Sequence, residues 1–154
     1  MKPRTILTGI AVFFVGAAVC FAADQNIGTW KLNEAKSKLG AGGAKNTTVV
    51  YEAAGDMVKI TVDGVDSAGK PVHHEWTGKY DGKDYAVTGD STSDTRSYKA
   101  IDDRTLTFTA KKGGKVVTTG RVVVAADGKS RSVNTTTTDS SGKKIHTVAA
   151  YDKQ

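Results

Sequence analysis

Arg96-Ser97-Tyr98 is the stretch of this sequence best suited to holding a ligand. Alternate residues of an extended strand share a face, so Arg96 and Tyr98 set a guanidinium beside a phenol. Arg offers paired donors in a fixed fork and Tyr adds a third, an arrangement that fits a carboxylate. The competing use of Arg96 is a cross-strand pair with an acid. His73, His74 and His146 are the only histidines. Neighbours on a strand face opposite ways, so His73 and His74 cannot both ligate one metal. A zinc site would need His146 brought close, with Glu75 or Asp66 added. No such spacing is written into the chain, so neither a metal nor a cofactor is expected. Trp76 and Phe108 complete the candidate ligand-binding set of Arg96, Tyr98, Trp76, His74 and Phe108. The same aromatics serve equally well as the core of a small barrel.

Enzyme chemistry finds no foothold, and the chain is expected not to be an enzyme. No Gly-x-Ser-x-Gly occurs, and the one cysteine is Cys20. Asp81, Asp84, Asp102 and Asp103 sit in turns, where Asp is favoured for backbone reasons. Asp127-Gly128-Lys129-Ser130 lacks the upstream glycine and the helix of a phosphate loop.

The elements around these residues begin with a leader. Lys2 and Arg4 precede an apolar stretch from Ile6 to Val19, too short to span a bilayer and of signal-peptide length. Cys20-Phe21-Ala22 supplies the small residues a signal peptidase needs, so residues 1–22 read as a cleaved signal peptide and 23–154 as one domain. Val19 and Ala17 are the wrong neighbours for lipidation of Cys20. The expected location is therefore periplasmic or secreted, with no stable membrane insertion once the leader is gone. The full chain of 154 residues has 22 basic and 16 acidic side chains, net +6, and losing Lys2 and Arg4 leaves +4. The basic residues are scattered rather than clustered beside stacking aromatics, which argues against a nucleic-acid partner. Oligomeric state is left open.

Short runs of Val, Ile, Thr and Tyr alternate with Gly/Asp/Lys clusters about every ten residues, the pattern of strands joined by hairpins. Strands are expected near 28–32, 47–53, 57–65, 70–80, 83–88, 95–101, 104–111, 115–125, 129–138 and 144–151. Asp-Gly and Gly-Gly turns between them imply antiparallel neighbours, and a meander this long escapes exposed edges by closing into a barrel. Residues 33–38 allow one helical turn, and 40–45 a loop. Segment 129–138 is nearly all Ser, Thr and Asn, so one wall is either polar inside or exposed on both faces. Asp66-Ser67-Ala68-Gly69-Lys70 and Asp139-Ser140-Ser141-Gly142-Lys143 read as one hairpin type written twice.

The domain opens Gly28-Thr29-Trp30-Lys31-Leu32-Asn33. Gly-x-Trp on a first strand resembles the lead motif of lipocalins, and the opening as a whole is similar to small secreted bacterial lipocalin-like (calycin-type) proteins. The resemblance implies that Gly28 and Trp30 close one end of the barrel, with Arg121, Arg131 and Lys153 as candidate basic partners for the Trp. The Thr-Asp-Tyr signature of lipocalins is replaced by Thr138-Asp139-Ser140. A count nearer ten strands than eight resembles fatty-acid-binding proteins, which use an Arg-x-Tyr pair on their last strand. The fold class expected is thus all-β: an antiparallel up-and-down meander closed into a lipocalin/fatty-acid-binding-protein-like barrel of about 8–10 strands. Two functions fit it. One is an exported binding protein enclosing a small, partly apolar or carboxylate ligand. The other is an envelope structural or protein-interaction module with a solid barrel.

Overall fold

The computed structural model describes residues 24–40 and 43–154. The leader with Cys20, and residues 41 and 42 of the expected loop, lie outside the described residues. The strands are β1 (Gly28–Leu32), β2 (Lys45–Ala54), β3 (Met57–Val65), β4 (Pro71–Gly78), β5 (Tyr85–Thr88), β6 (Thr95–Ala100), β7 (Thr105–Lys112), β8 (Lys115–Val124), β9 (Ser130–Thr138) and β10 (Lys144–Lys153). Each pairs antiparallel with the next, and β1 pairs with both β2 and β10, which closes the sheet into a barrel. Closure leaves no unpaired edge strand among the described residues. The helical turn expected after β1 is a 3₁₀ turn over Glu34–Lys36, capped by the Asn33 side chain accepting from the Lys36 amide.

Tight turns occur where the sequence writes them. In the β3–β4 hairpin, Asp66 Oδ1 accepts from the amides of Ala68 and Lys70. In the β9–β10 hairpin, Asp139 Oδ1 accepts from the amides of Ser141 and Lys143. The two similar segments are therefore the same Asx-type turn, built from the same side-chain-to-backbone bonds.

Alternation along the strands fills the barrel. Val49 and Tyr51 of β2, Ile60 and Val62 of β3, Trp76 of β4, Tyr98 of β6, Leu106 of β7, Val122 and Val124 of β8, and Tyr151 of β10 form one buried cluster with Trp30. Burying a side chain of this size stabilises the fold by about 2–3 kcal/mol. The Thr-rich wall is polar on the inside. Arg131 and Val133 share a face of β9 with Thr135 and Thr137, and Tyr151 and Ala149 share one of β10 with Thr147. Thr135 and Thr147 hydroxyls meet at 2.6 Å, and Thr118 and Thr137 hydroxyls at 3.0 Å. Cross-strand partners thus satisfy the hydroxyls that the strand turns inward.

The barrel has two distinct ends. Residues 24–27, the β2–β3, β6–β7 and β8–β9 turns, and the β4–β5 connection form one end. The 3₁₀ turn and the β3–β4, β5–β6, β7–β8 and β9–β10 turns form the other.

Candidate ligand-binding site

At the first end the chain folds across the barrel before entering β1. Asp24 Oδ1 accepts from the Asn26 amide and Nδ2, Ile27 N–H donates to Asp24 C=O, and the Trp30 indole N–H donates to Asn26 C=O at 2.7 Å. Gly28 has φ +126°, and a Cβ there would lie 2.8 Å from Lys153 Cε. A side chain at Gly28 would need a rarely adopted backbone and would collide with the lysine stem. That is the physical content of the Gly-x-Trp spacing. It lets β10 lie close while Trp30 turns inward, wholly buried. Of the three candidate partners for Trp30, Arg131 stacks at 4.6 Å from its ring and Lys153 Nζ sits at 5.1 Å. Arg121 lies instead on the outer face, opposite Thr107 and Asn134. The Arg131 guanidinium also lies 4.7 Å from the Tyr51 ring and 5.1 Å from that of Tyr151. Burial pushes the Tyr51 phenol above its ordinary range despite Arg131, and that of Tyr151 up to about 12.

Four of the five sequence-predicted ligand residues form a chain of contacts across β4, β6 and β7. Trp76 and Tyr98 meet edge-on at 4.8 Å, and Tyr98 and Phe108 lie 5.5 Å apart. The Arg96 guanidinium lies 5.9 Å above Phe108, and Trp76 donates its indole N–H to Arg96 C=O. Gly120 on β8 leaves room for the Phe108 ring, since a Cβ there would meet ring carbon Cε1 at 2.3 Å. Arg96 does find an acid: its Nη2 bonds Asp90 Oδ2 at 3.2 Å, with both side chains nearly buried. Burial pulls the Arg96 guanidinium down, and Tyr98 and Asp90 together push it above its ordinary value. Burial pushes Asp90 up, but the hydroxyls of Ser93 and Thr92 and the Thr92 amide hold it below the usual carboxylate value. His74, the fifth, is buried on the inner face of β4, and its Nε2 has no partner among the described residues. Burial first, then the Arg96 charge, holds His74 below its ordinary value. His73 faces outward to Asp63 at 2.7 Å, and His146 bonds Thr136 on the outer face. β4 and β10 are not neighbours in the barrel, so the histidines stay apart.

A larger concavity than the hollow beside Phe108 lies elsewhere. A half-open cleft of about 540 Å³ opens at the first end between residues 24–27 and the turns around residues 55, 80 and 102. Its apolar lining includes Ile27, Val58, Leu106, Ala53 and Ala100, with Tyr80 beside them. Charged residues around it are Asp24, Asp56, Asp102, Asp103 and Lys79. Tyr80 joins the cleft to the aromatic chain: its ring lies 6.1 Å from Tyr98 and its hydroxyl donates to Asp24 Oδ2 at 2.9 Å. Burial, then Tyr51 and Asp24, pushes the Tyr80 phenol above its ordinary range, so it stays a donor. None of the five predicted residues lines this cleft. Phe108 lines a more open hollow of about 440 Å³ over β7–β10, with Arg121, His146 and several threonines. Nothing in their spacing marks Asp24, Asn26 or Leu106 as site residues, and Asp102 and Asp103 read from the sequence as turn formers. The available sign was the polar Asp24-Gln25-Asn26 triplet set directly before a strand whose Gly-x-Trp already marked a barrel end.

No protein-family model matches the chain, and no curated protein sequence is significantly similar to it. Among solved structures it is similar to the β-barrel EF1p2_mFAP2b bound to DFHBI. The identity is 12%, the TM-score 0.51, and the match covers 86% of this chain and 97% of that one. It also aligns with the redesigned β-barrel mFAP1 bound to DFHBI, at 16% identity and TM-score 0.44, over 86% of this chain and 98% of that one. A third alignment, with the redesigned β-barrel b11L5F_LGL, has 14% identity and TM-score 0.47 over 88% and 97%. At such identities the likeness is one of fold. The chain is an all-β, ten-stranded, closed antiparallel barrel of the lipocalin/fatty-acid-binding-protein-like kind.

Proposed function

We propose that this chain is an exported binding protein that takes a small, partly apolar ligand in the end cleft of its barrel. The observation that carries the reading is the cleft of about 540 Å³, within the size range of small-molecule sites, with an apolar lining and a few polar groups around it. The leader over residues 1–22 supports export to the periplasm or beyond. The reading is of a binder rather than an enzyme. The histidine contacts at Asp63 and Thr136 lie on the outer surface and share no residue with the cleft. One observation favours the second reading, a solid envelope interaction module: Trp30, Trp76 and Ile60 are wholly buried in the barrel's interior.

Native mass spectrometry of the mature protein from its own compartment, beside the same sample after denaturing extraction, tests the choice. The expected result is a bound small molecule that Ala53→Trp or Ala100→Trp prevents, since both alanines are exposed and line the cleft. A bare polypeptide mass, with no saturable binding from a panel of small amphiphiles, overturns the binding reading and leaves the solid module.

A further inference from the structure

We infer that the end cleft takes a cationic amphiphile, its apolar body on Ile27, Val58 and Leu106 and its ammonium-type head between Asp24, Asp102 and the Asn26 side-chain carbonyl. The inference rests on the cleft being a binding site and names the class of its ligand. It sets aside the carboxylate ligand that the Arg96-x-Tyr98 spacing suggests, since Arg96 is ion-paired to Asp90 away from the cleft.

The first support is the charge around the cleft. Four carboxylates and one cation line it, and that cation, Lys79, is ion-paired with Asp56. The chain as a whole has net charge +6, so the acidic cleft runs against the overall composition. Asp24 and Asp102 accept only from neutral donors among the described residues. Asp24 takes the Asn26 amide, Asn26 Nδ2 and the Tyr80 hydroxyl, and Asp102 takes the Arg104 amide at 2.9 Å. The Arg104 amide first, then the Thr105 hydroxyl, holds Asp102 below the usual carboxylate value, so it is ionised at neutral pH. The Arg104 guanidinium approaches only Asp103, at 3.9 Å in exposed surroundings where it contributes little.

The second, independent support is Asn26. Its residue is 1% exposed and lines the cleft, its Nδ2 is spent on Asp24, and its Oδ1 accepts from nothing among the described residues. A buried acceptor without a donor is costly, and a ligand N–H would satisfy it. The geometry therefore lacks a donor and a positive charge at the same place. Among the described residues an anionic head would meet four carboxylates and only the ion-paired Lys79, and a neutral head would gain nothing from the charges of Asp24 and Asp102.

Isothermal titration of the mature protein with octyltrimethylammonium, octanoate and octyl glucoside, each below its aggregation concentration, compares one chain length with three head charges. A primary amine, octylammonium, forms the fourth arm and can also donate to Asn26. The expected result is saturable one-to-one binding of the two cations at least about tenfold tighter than octanoate. Asp102→Asn, in an exposed turn, should lose most of that preference with an unchanged melting temperature; Asp24→Asn should lose it too, with a lower melting temperature because Asp24 holds Asn26 and Tyr80. Equal or tighter binding of octanoate or octyl glucoside overturns the cationic ligand while leaving the binding cleft in place. A preference that survives both substitutions overturns it too. No saturable binding in any arm overturns the cleft itself.

Discussion

At the cleft end Arg131 lies 4% exposed among the rings of Trp30, Tyr51 and Tyr151, and no carboxylate pairs with it among the described residues. Toward the other end Arg96 is nearly as enclosed, but it is tied to Asp90, a carboxylate itself held by Ser93 and Thr92. One guanidinium is kept inside by ring quadrupoles and the other by a full opposite charge. The delocalised, weakly hydrated guanidinium tolerates the first arrangement where an ammonium would not. The two differ in what is left after damage. Removing Arg131 leaves ring faces that are stable without it. Removing Asp90 leaves a positive charge stranded in a low-dielectric interior.

The largest effect is expected at the ring that organises the cleft end. Trp30→Ala removes a wholly buried side chain that carries Arg131, Lys153 and the Asn26 hydrogen bond. Urea unfolding should show a loss of about 4 kcal/mol, the usual cost of emptying such a site. A loss below about 1 kcal/mol would mean that another residue closes this end. Next, Asp90→Ala should cost about 3 kcal/mol, because Arg96 then has no carboxylate opposite its charge. The double variant Asp90→Ala/Arg96→Met should recover most of that. Arg131→Met keeps the stem packing and leaves no charge unpaired, losing only the Tyr51 phenol as an acceptor, so about 1 kcal/mol is expected, the difference between lost cation–π attraction and relieved desolvation. If Arg131→Met proves the costlier of the two, aromatic faces hold a buried guanidinium better than this carboxylate does.

The barrel was legible in the sequence because hairpin chemistry is local. Asp-Gly and Gly-Gly turns, Asp66 and Asp139 with their capping geometry, and period-two alternation each act over a few residues, and the strands followed within about two residues at most ends. The inward face of the Thr-rich strand was half legible. Alternation could not choose a face until cross-strand register set Thr135 opposite Thr147. Trp76, Tyr98 and Phe108 come into contact because they share inward register positions on β4, β6 and β7. Their relation to open space was not legible. Whether an inward aromatic lines a cavity or fills it depends on what the opposite wall sends in, here Trp30 and Ile60, from strands distant in sequence. Asp24, Asn26, Asp56 and Asp102 meet around the cleft only because three strand connections and the N-terminal segment gather at one end.

The smallest effect divides the same interior from its outer surface, at two adjacent residues. His73 points out, where its hydrogen bond to the Asp63 carboxylate raises it above the ordinary 6.5, against an opposing effect of desolvation. His74 points in, where burial and then Arg96 lower it below 6.5. The linked stabilities therefore have opposite signs. What His73 contributes is complete below 6.5, the ordinary value it takes when unfolded, and is lost as pH rises through its higher folded value. What neutral His74 preserves is complete above 6.5 and is lost as pH falls toward its lower folded value. Unfolding free energies of His73→Gln and His74→Leu, measured from about pH 5 to pH 8 and subtracted from the parent at each pH, isolate these terms from the carboxylates. The His73→Gln difference should shrink with rising pH, because the parent is then losing what the variant never had. The His74→Leu difference should shrink with falling pH, because only the parent must protonate a buried ring. Two differences that slope the same way would mean that the inner face of β4 is as well hydrated as the outer, and that Arg96 and Asp90 beside it are not enclosed at all.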